Sequence, residues 1–218
     1  GQRGPPAELI TRAWFNENLK SRWFIVSGLG GIISMVVVMI LTGLSVARER
    51  EFGTFDQLLV APFTPGEILI GKSLPGMFFG FMDALLFSLG AVFWFQVPFH
   101  GTIPALLMAL ACFICTMVGV GLLVSSLSRT MQQALLGSFV FMMPAVILAG
   151  FTTPIENMPP WLQIGTRFNP VRYIIVALRR IFLEGADVSR IWPQIWPLLI
   201  MAVVTLTAAG YLFRHRSQ

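Results

Sequence analysis

Charge is scarce in this sequence: of 218 residues, 11% are Asp, Glu, Lys or Arg. A soluble domain carries about 25%, so too little charge is present to dress a water-facing surface. A soluble globular enzyme is excluded, together with disordered and collagen-like chains. Histidine is almost missing, with His100 and His215 far apart, and cysteine is limited to Cys112 and Cys115. These two form a C-x-x-C inside an apolar run and lack both a second ligand pair and a thioredoxin-like setting. They read as small buried apolar side chains. With no nucleophile–base pair, metal cluster or hydrolytic constellation in the spacing, neither catalysis nor a bound metal or cofactor is expected of this chain. The net charge of +5 comes from 15 Lys and Arg scattered between apolar blocks, which argues against nucleic-acid binding. What is abundant is apolar: 56% of residues, including 19 Phe, 11 Met and 6 Trp, at a mean hydropathy of +0.76. The chain reads as an all-α integral membrane protein surrounded by lipid, because lipid leaves no partner for an open backbone and no alternating barrel pattern appears.

Charge-free stretches mark the crossings, since a helix needs about 20 apolar residues to traverse the hydrocarbon layer. Trp23 to Ala47 contains no charge, and Ser73 to Phe99 only Asp83. Ala84 to Ser128 is uncharged but too long for one helix; Gln96-Val97-Pro98-Phe99-His100-Gly101-Thr102-Ile103-Pro104 supplies the break. Thr130–Ile155 and Ile191–Phe213 complete the set. Five transmembrane helices are predicted, at about 23–47, 74–96, 103–125, 131–150 and 191–213. Gly28, Gly30 and Gly31, the pair Gly76 and Gly80, and Gly119 and Gly121 are candidate points of close helix approach.

The polar connections are more specific. Ala47-Arg48-Glu49-Arg50-Glu51 leads into Gly53-Thr54-Phe55-Asp56-Gln57-Leu58-Leu59-Val60-Ala61-Pro62. Thr54 and Gln57 fit a capping box, Phe55, Leu58 and Leu59 make an apolar stripe, and Pro62 stops the helix. This short amphipathic helix is either an interfacial loop helix or a docking element for a partner. Gly66-Glu67-Ile68-Leu69-Ile70-Gly71-Lys72-Ser73 matches the phosphate-binding pattern G-x-x-x-x-G-K-[ST]. Thr64 as N-cap, Pro65 at the first helical position and Glu67 as the reciprocal cap instead predict helix there. Nucleotide binding at these residues is judged a false positive. Thr130 and Gln133 suggest another capping box. Between Phe151 and Arg190, Asn169-Pro170 opens a helix whose apolar face is Val171, Ile174, Ile175, Leu178, Ile181 and Phe182, ended by Gly185. It is a re-entrant hairpin or a surface helix. Its arginines either stabilise the fold or contact phosphate headgroups. Asp83 is the one clearly intramembrane charge, a candidate for substrate or ion contact or for a pairing inside the bundle.

These residues resemble a known family. The block Ala47 to Val60 with Pro62, Thr64-Pro65 and Glu67-Ile68-Leu69 to Gly71-Lys72 resembles the conserved cytoplasmic stretch of ABC-2 type transporter permeases. Pro154-Ile155-Glu156-Asn157-Met158-Pro159, then Asn169-Pro170 to Tyr173 and Leu178-Arg179, is similar to that family's segment before the last span. The likeness covers about residues 23–213 and is to bacterial multidrug-type export permeases.

The resemblance implies a six-span protein with a large extracytoplasmic domain after its first span, so this chain is expected to lack the first span and most of that domain. Residues 1–22 would end the extracytoplasmic segment, 48–72 form the coupling region, 151–190 an outer helical segment and 214–218 a cytoplasmic tail. A simple count of Lys and Arg favours the opposite orientation, nine against six; the family topology is preferred because a coupling helix needs its ATPase on the cytoplasmic face. The implied role is the permease subunit of an exporter in the bacterial plasma (inner) membrane. It pairs with a second permease subunit and docks on a separate ATP-binding subunit that holds ATP and Mg. Arg48, Glu49, Arg50, Glu51, Gly53, Thr54, Phe55, Asp56, Gln57, Leu58, Leu59 and Pro62 are the expected ATPase-coupling residues. Asp83, Phe139, Phe141 and Met142 are candidate pathway residues, the last three equally readable as core or lipid-facing. The rival reading is a secondary transporter or channel coupled to ions through Asp83. A structural membrane subunit is a third.

Overall fold

The computed structural model describes residues 21–54, 63–151 and 155–216. Among these, seven α-helices form: α1 (Ser21–Glu51), α2 (Pro65–Phe93), α3 (Ile103–Leu127), α4 (Met131–Ile147), α5 (Pro160–Gly165), α6 (Pro170–Glu184) and α7 (Val188–Arg216), with short 3-10 turns at Ile155–Asn157 and Thr166–Phe168. Four of them, α1, α2, α3 and α7, are long and apolar enough to cross a membrane. The fifth expected span, α4, has 17 residues and a length of about 25 Å, at the short edge of what spans.

Local chemistry places the helix ends. Thr64 caps α2 through a full capping box with Glu67, and Pro65 occupies the first position. Thr130 Oγ1 accepts from the Gln133 amide, while the Gln133 side chain turns to the Arg129 amide at 3.0 Å rather than to the cap itself. Asn169 caps α6 by accepting from Val171 N, and Gly185 ends it in the left-handed conformation at φ 69°. The helices outrun the charge-free stretches: α1 continues through Arg48–Glu51, and α2 begins at Pro65 rather than near 74. A helix needs no lipid to persist, since its hydrogen bonds are internal, and charged side chains at its end reach into water.

α3 is the hub. It packs most extensively on α7 and α1, and α1 packs in turn on α2. The approach of α1, α2 and α3 is set at Thr42, which is fully buried. A Cβ at either Gly76 or Gly121 would collide with the Thr42 side chain, so two glycines on different helices make room for one threonine. Gly80 likewise lies on Val38, Gly31 on Ile174, and Gly119 on Thr205. The outward faces of α2 and α7 remain exposed and apolar, including Phe78, Phe79 and Leu86 on one and Ile200, Val203 and Val204 on the other; these suit lipid.

α6 closes one end of the bundle. Its apolar face, Val171, Ile174, Ile175, Leu178, Ile181 and Phe182, is buried against α1, α3 and α7. Asn169 Nδ2 donates to Ala145 O of α4 at 2.6 Å, and the His100 amide donates to Phe182 O at 3.2 Å. It thus reaches from α4 to the α2–α3 connection. Arg179 sits within 6.0 Å of the Phe151 ring centroid, and burial pushes its guanidinium down to about 10. Exposed Trp94, Trp161, Trp192 and Trp196 gather at this same end, as expected of an aromatic belt at a membrane–water boundary.

Gly121→Val is expected to cost about 1–3 kcal/mol by overpacking the three-helix junction, read as a lowered melting midpoint of the purified protein. Gly90→Val, at a site with nothing within 4 Å, is expected to leave the midpoint in place. Equal midpoints for the two variants would contradict the junction.

Candidate functional site: the fastened end of α1

The last turn of α1 carries Arg48, Glu49, Arg50 and Glu51, residues expected to face a partner. Successive helical residues point about 100° apart, and three of these four turn to three different neighbours. Glu49 forms an ion pair with Lys72 of α2, whose ammonium also donates to Ser45 O at 3.4 Å. Arg50 Nη1 donates to Ser126 O at 2.7 Å and to Ser128 O at 3.3 Å, where α3 ends. Glu51 Oε2 accepts from the Met131 amide at 2.6 Å, placing a carboxylate at the N-terminus of α4, where the helix dipole favours it. Just above, the buried Ser125 Oγ accepts from the Val46 and Ala47 amides at 2.9 and 3.1 Å. The end of α1 is therefore tied to α2, α3 and α4 at once. Arg48 is exposed and makes no hydrogen bond or ion pair with any described residue.

Beyond Glu51 the chain turns back on itself. Gly53 adopts φ 71°, and the Thr54 amide donates to Glu49 O at 3.0 Å. Phe55, Asp56, Gln57, Leu58, Leu59 and Pro62 lie outside the described residues. The chain re-enters at Phe63, exposed like Phe52 on the other side of the gap. The phosphate-loop match at Gly66–Ser73 lies in the first turns of α2. The Glu67 amide is taken by Thr64 Oγ1 and the Ile68 amide by Thr64 O, so the backbone here is a capped helix rather than an open cradle.

The other candidate residues do not come together. Asp83 is part-buried midway along α2, and Ser34 Oγ of α1 lies 3.3 Å from its Oδ2. That hydroxyl has one hydrogen and sits nearer to Gly30 O, at 2.8 Å, so the contact with Asp83 is weak. On α4, Met142 is in the core, Phe141 is packed partly against it, and Phe139 is exposed; the three do not line one surface. Cys112 and Cys115 lie on α3, the first buried and the second half-buried.

Not anticipated from the sequence is that Glu49, Arg50 and the exposed Glu51 bond to neighbouring helices of the same chain. The available signal was three consecutive charges on one helical turn with Lys72 and the Ser-rich 125–128 turn as possible acceptors and donors.

The model of the ABC-2 type transporter family matches residues 9–183. This chain belongs to that family. The membrane helices make it a multi-pass protein, and its permease relatives place it in the inner membrane. It is 43% identical over 210 residues to the probable multidrug ABC transporter permease YbhR of Escherichia coli K12, covering 96% of this chain and 57% of that protein. Against the probable multidrug ABC transporter permease YbhS of the same organism, identity is 35%, with 96% and 54% covered. The linearmycin resistance permease protein LnrN of Bacillus subtilis is 25% identical over 177 residues, 81% of this chain and 46% of its own. The chain thus spans about half the length of the curated relatives it matches. All three of these relatives carry the name permease.

Replacing Arg50 with Met and Glu51 with Ala together is expected to free the α3–α4 turn. Amide hydrogen exchange at Ser128–Gln132 should rise by about tenfold or more, for the loss of hydrogen bonds to charged groups worth about 1.5–3 kcal/mol each. Amides of α6 should not change. Unaltered exchange in the turn would contradict the fastening.

Proposed function

We propose that this chain supplies the transmembrane domain of an ATP-driven exporter of the multidrug type. It would pair with a second permease subunit around the pathway and sit on a separate ATP-binding subunit that carries ATP and Mg. Family membership supports the class of transporter, and the names of the relatives support drug-like cargo. The observation that carries the mechanism is the three-way fastening of α1 by Glu49, Arg50 and Glu51, immediately before residues 55–62.

In this mechanism Phe55, Leu58 and Leu59 fit a groove on the ATP-binding subunit, with Asp56 orienting them by charge. Closure of the ATPase dimer pushes the segment. Because the end of α1 is bonded to α2, α3 and α4, the push moves all four helices rather than bending one. ATP binding acts through contacts that differ between the inward- and outward-facing states, which is the requirement for shifting their populations. Lys72 serves as an internal brace through Glu49 and not as a phosphate ligand. Asp83 and the exposed Phe139 of α4 remain proposed contacts along the pathway, whereas Met142 and Phe141 turn to the core.

Leu58→Asp, in the full permease reconstituted with its ATP-binding subunit, is expected to lower ATP-driven export at least tenfold while ATP hydrolysis continues and the melting midpoint of the permease holds. Export and hydrolysis coupled as in the unmodified transporter would refute the docking role.

A further inference from the structure

A cavity of about 810 Å³ opens between α1 and α2 at the fastened end. Its walls gain charge along the helix axes, with Phe63 and Ile68 as the apolar residues that stand beside the charged rim. Ile40, Leu41 and Leu44 of α1 and Pro75 of α2 make the inner part apolar. One to two turns further out, the rim carries Arg48, Glu49, Glu67 and Lys72. Leu41, Leu44 and Arg48 are spaced as i, i+3 and i+7, so one face of α1 passes from hydrocarbon-like to cationic within about 10 Å. That is the profile of the boundary between acyl chains and headgroups.

The rim charges decide what fits. Lys72 is neutralised by Glu49. Glu67 is held by the Thr64 amide and hydroxyl at 2.7 and 2.9 Å, and it is exposed. Arg48 is exposed with no partner among the described residues. Two cations and two carboxylates give the rim no net charge, with one cation and one anion left facing the opening. The exposed Arg48 guanidinium suits a lipid phosphate through charge-assisted hydrogen bonds, and the Glu67 carboxylate on the same rim suits an ammonium headgroup. We infer that the cavity between α1 and α2 is a binding site for a zwitterionic, ammonium-headed phospholipid, with its phosphate on Arg48, its ammonium at Glu67 and an acyl chain along Leu41, Leu44 and Pro75.

A free phosphate ion is a poor occupant. It would meet Arg48 but also the field of Glu67, and it would leave the apolar wall uncovered. The exposed face of α2 next to the cavity, with Ile70, Leu74 and Phe78, offers a route by which a lipid slides in sideways from the bilayer. The lipid would wedge α1 and α2 apart at the level of the Glu49–Lys72 pair. The site does not rest on the ATPase reading, since it needs neither nucleotide nor a partner subunit.

The test uses the full permease in vesicles of phosphatidylethanolamine and phosphatidylglycerol, without nucleotide, and a phosphatidylethanolamine probe with a photoreactive diazirine on its acyl chain. Labelling is mapped by mass spectrometry to the Leu41–Leu44 and Pro75 peptides, with the outer face of α7 at Val203 and Val204 as the measure of ordinary surrounding lipid. Arg48→Gln, at an exposed residue with no described bonds, is expected to cut cavity labelling at least fivefold and leave α7 labelling unchanged. Leu44→Trp, which fills the cavity, is expected to do the same by a different route. Glu67→Gln preserves the capping geometry and is expected to remove the preference for unlabelled phosphatidylethanolamine over phosphatidylglycerol as competitor. Cavity labelling indifferent to Arg48→Gln and Leu44→Trp would overturn the site. Competition by inorganic phosphate alone, or crosslinks from Leu41 to residues 55–62 instead of lipid, would overturn it too.

Discussion

The packing of this protein turns on Thr42. Its side chain occupies the space that Gly76 and Gly121 leave empty, and its hydroxyl is satisfied by Val38 O at 2.7 Å, so a polar group is buried at no hydrogen-bonding loss. In lipid the hydrophobic effect cannot hold helices together, because the tails are as apolar as the side chains; close packing of small residues does that work instead. With α1, α2 and α3 brought this near at Thr42, the turns beyond Thr42 have to end side by side. Ser125 then reaches the amides of Val46 and Ala47, and Lys72 reaches Glu49.

That proximity converts a charged helix end into a mechanical joint. Each of Glu49, Arg50 and Glu51 is bonded to a different helix, and each partner is a backbone or side-chain group at a helix terminus or at the membrane boundary. Charge-assisted hydrogen bonds are stronger and more directional than neutral ones. They also resist sliding of the helices, which apolar packing alone permits. At the opposite end, α6 plays the corresponding role with apolar surface: it binds α4 through Asn169 and the α2–α3 connection through Phe182 and His100. The bundle is polar-stitched at one end and capped by a buried amphipathic helix at the other.

Much of this was legible in the sequence. The crossings follow from the gaps between charges, and the start of α2 from Thr64, Pro65 and Glu67. The start and stop of α6 follow from Asn169 and Gly185, because caps depend only on neighbours along the chain. The glycines also marked real approaches, at Gly28, Gly31, Gly76, Gly80, Gly119 and Gly121. Long-range directions were not legible. Periodicity says that Met142 and Phe139 lie on different parts of a helix surface, but not which part meets the core. A run such as Arg48-Glu49-Arg50-Glu51 looks the same whether it faces solvent or three other helices. Whether α6 folds back into the membrane or lies across the bundle depends on contacts with Gly28, Gly31 and His100, which are distant in the chain.

In the proposed mechanism the end of α1 and the α3–α4 turn move together. Spin labels at Phe52 and Gln132, both exposed, allow the distance between them to be measured by pulsed electron resonance in the assembled transporter. Joint motion requires the same Phe52–Gln132 distance with and without ATP, while the distance between the two Phe52 positions across the proposed permease pair changes. A nucleotide-dependent change between Phe52 and Gln132 within one subunit would show that the joint opens, and would contradict the account.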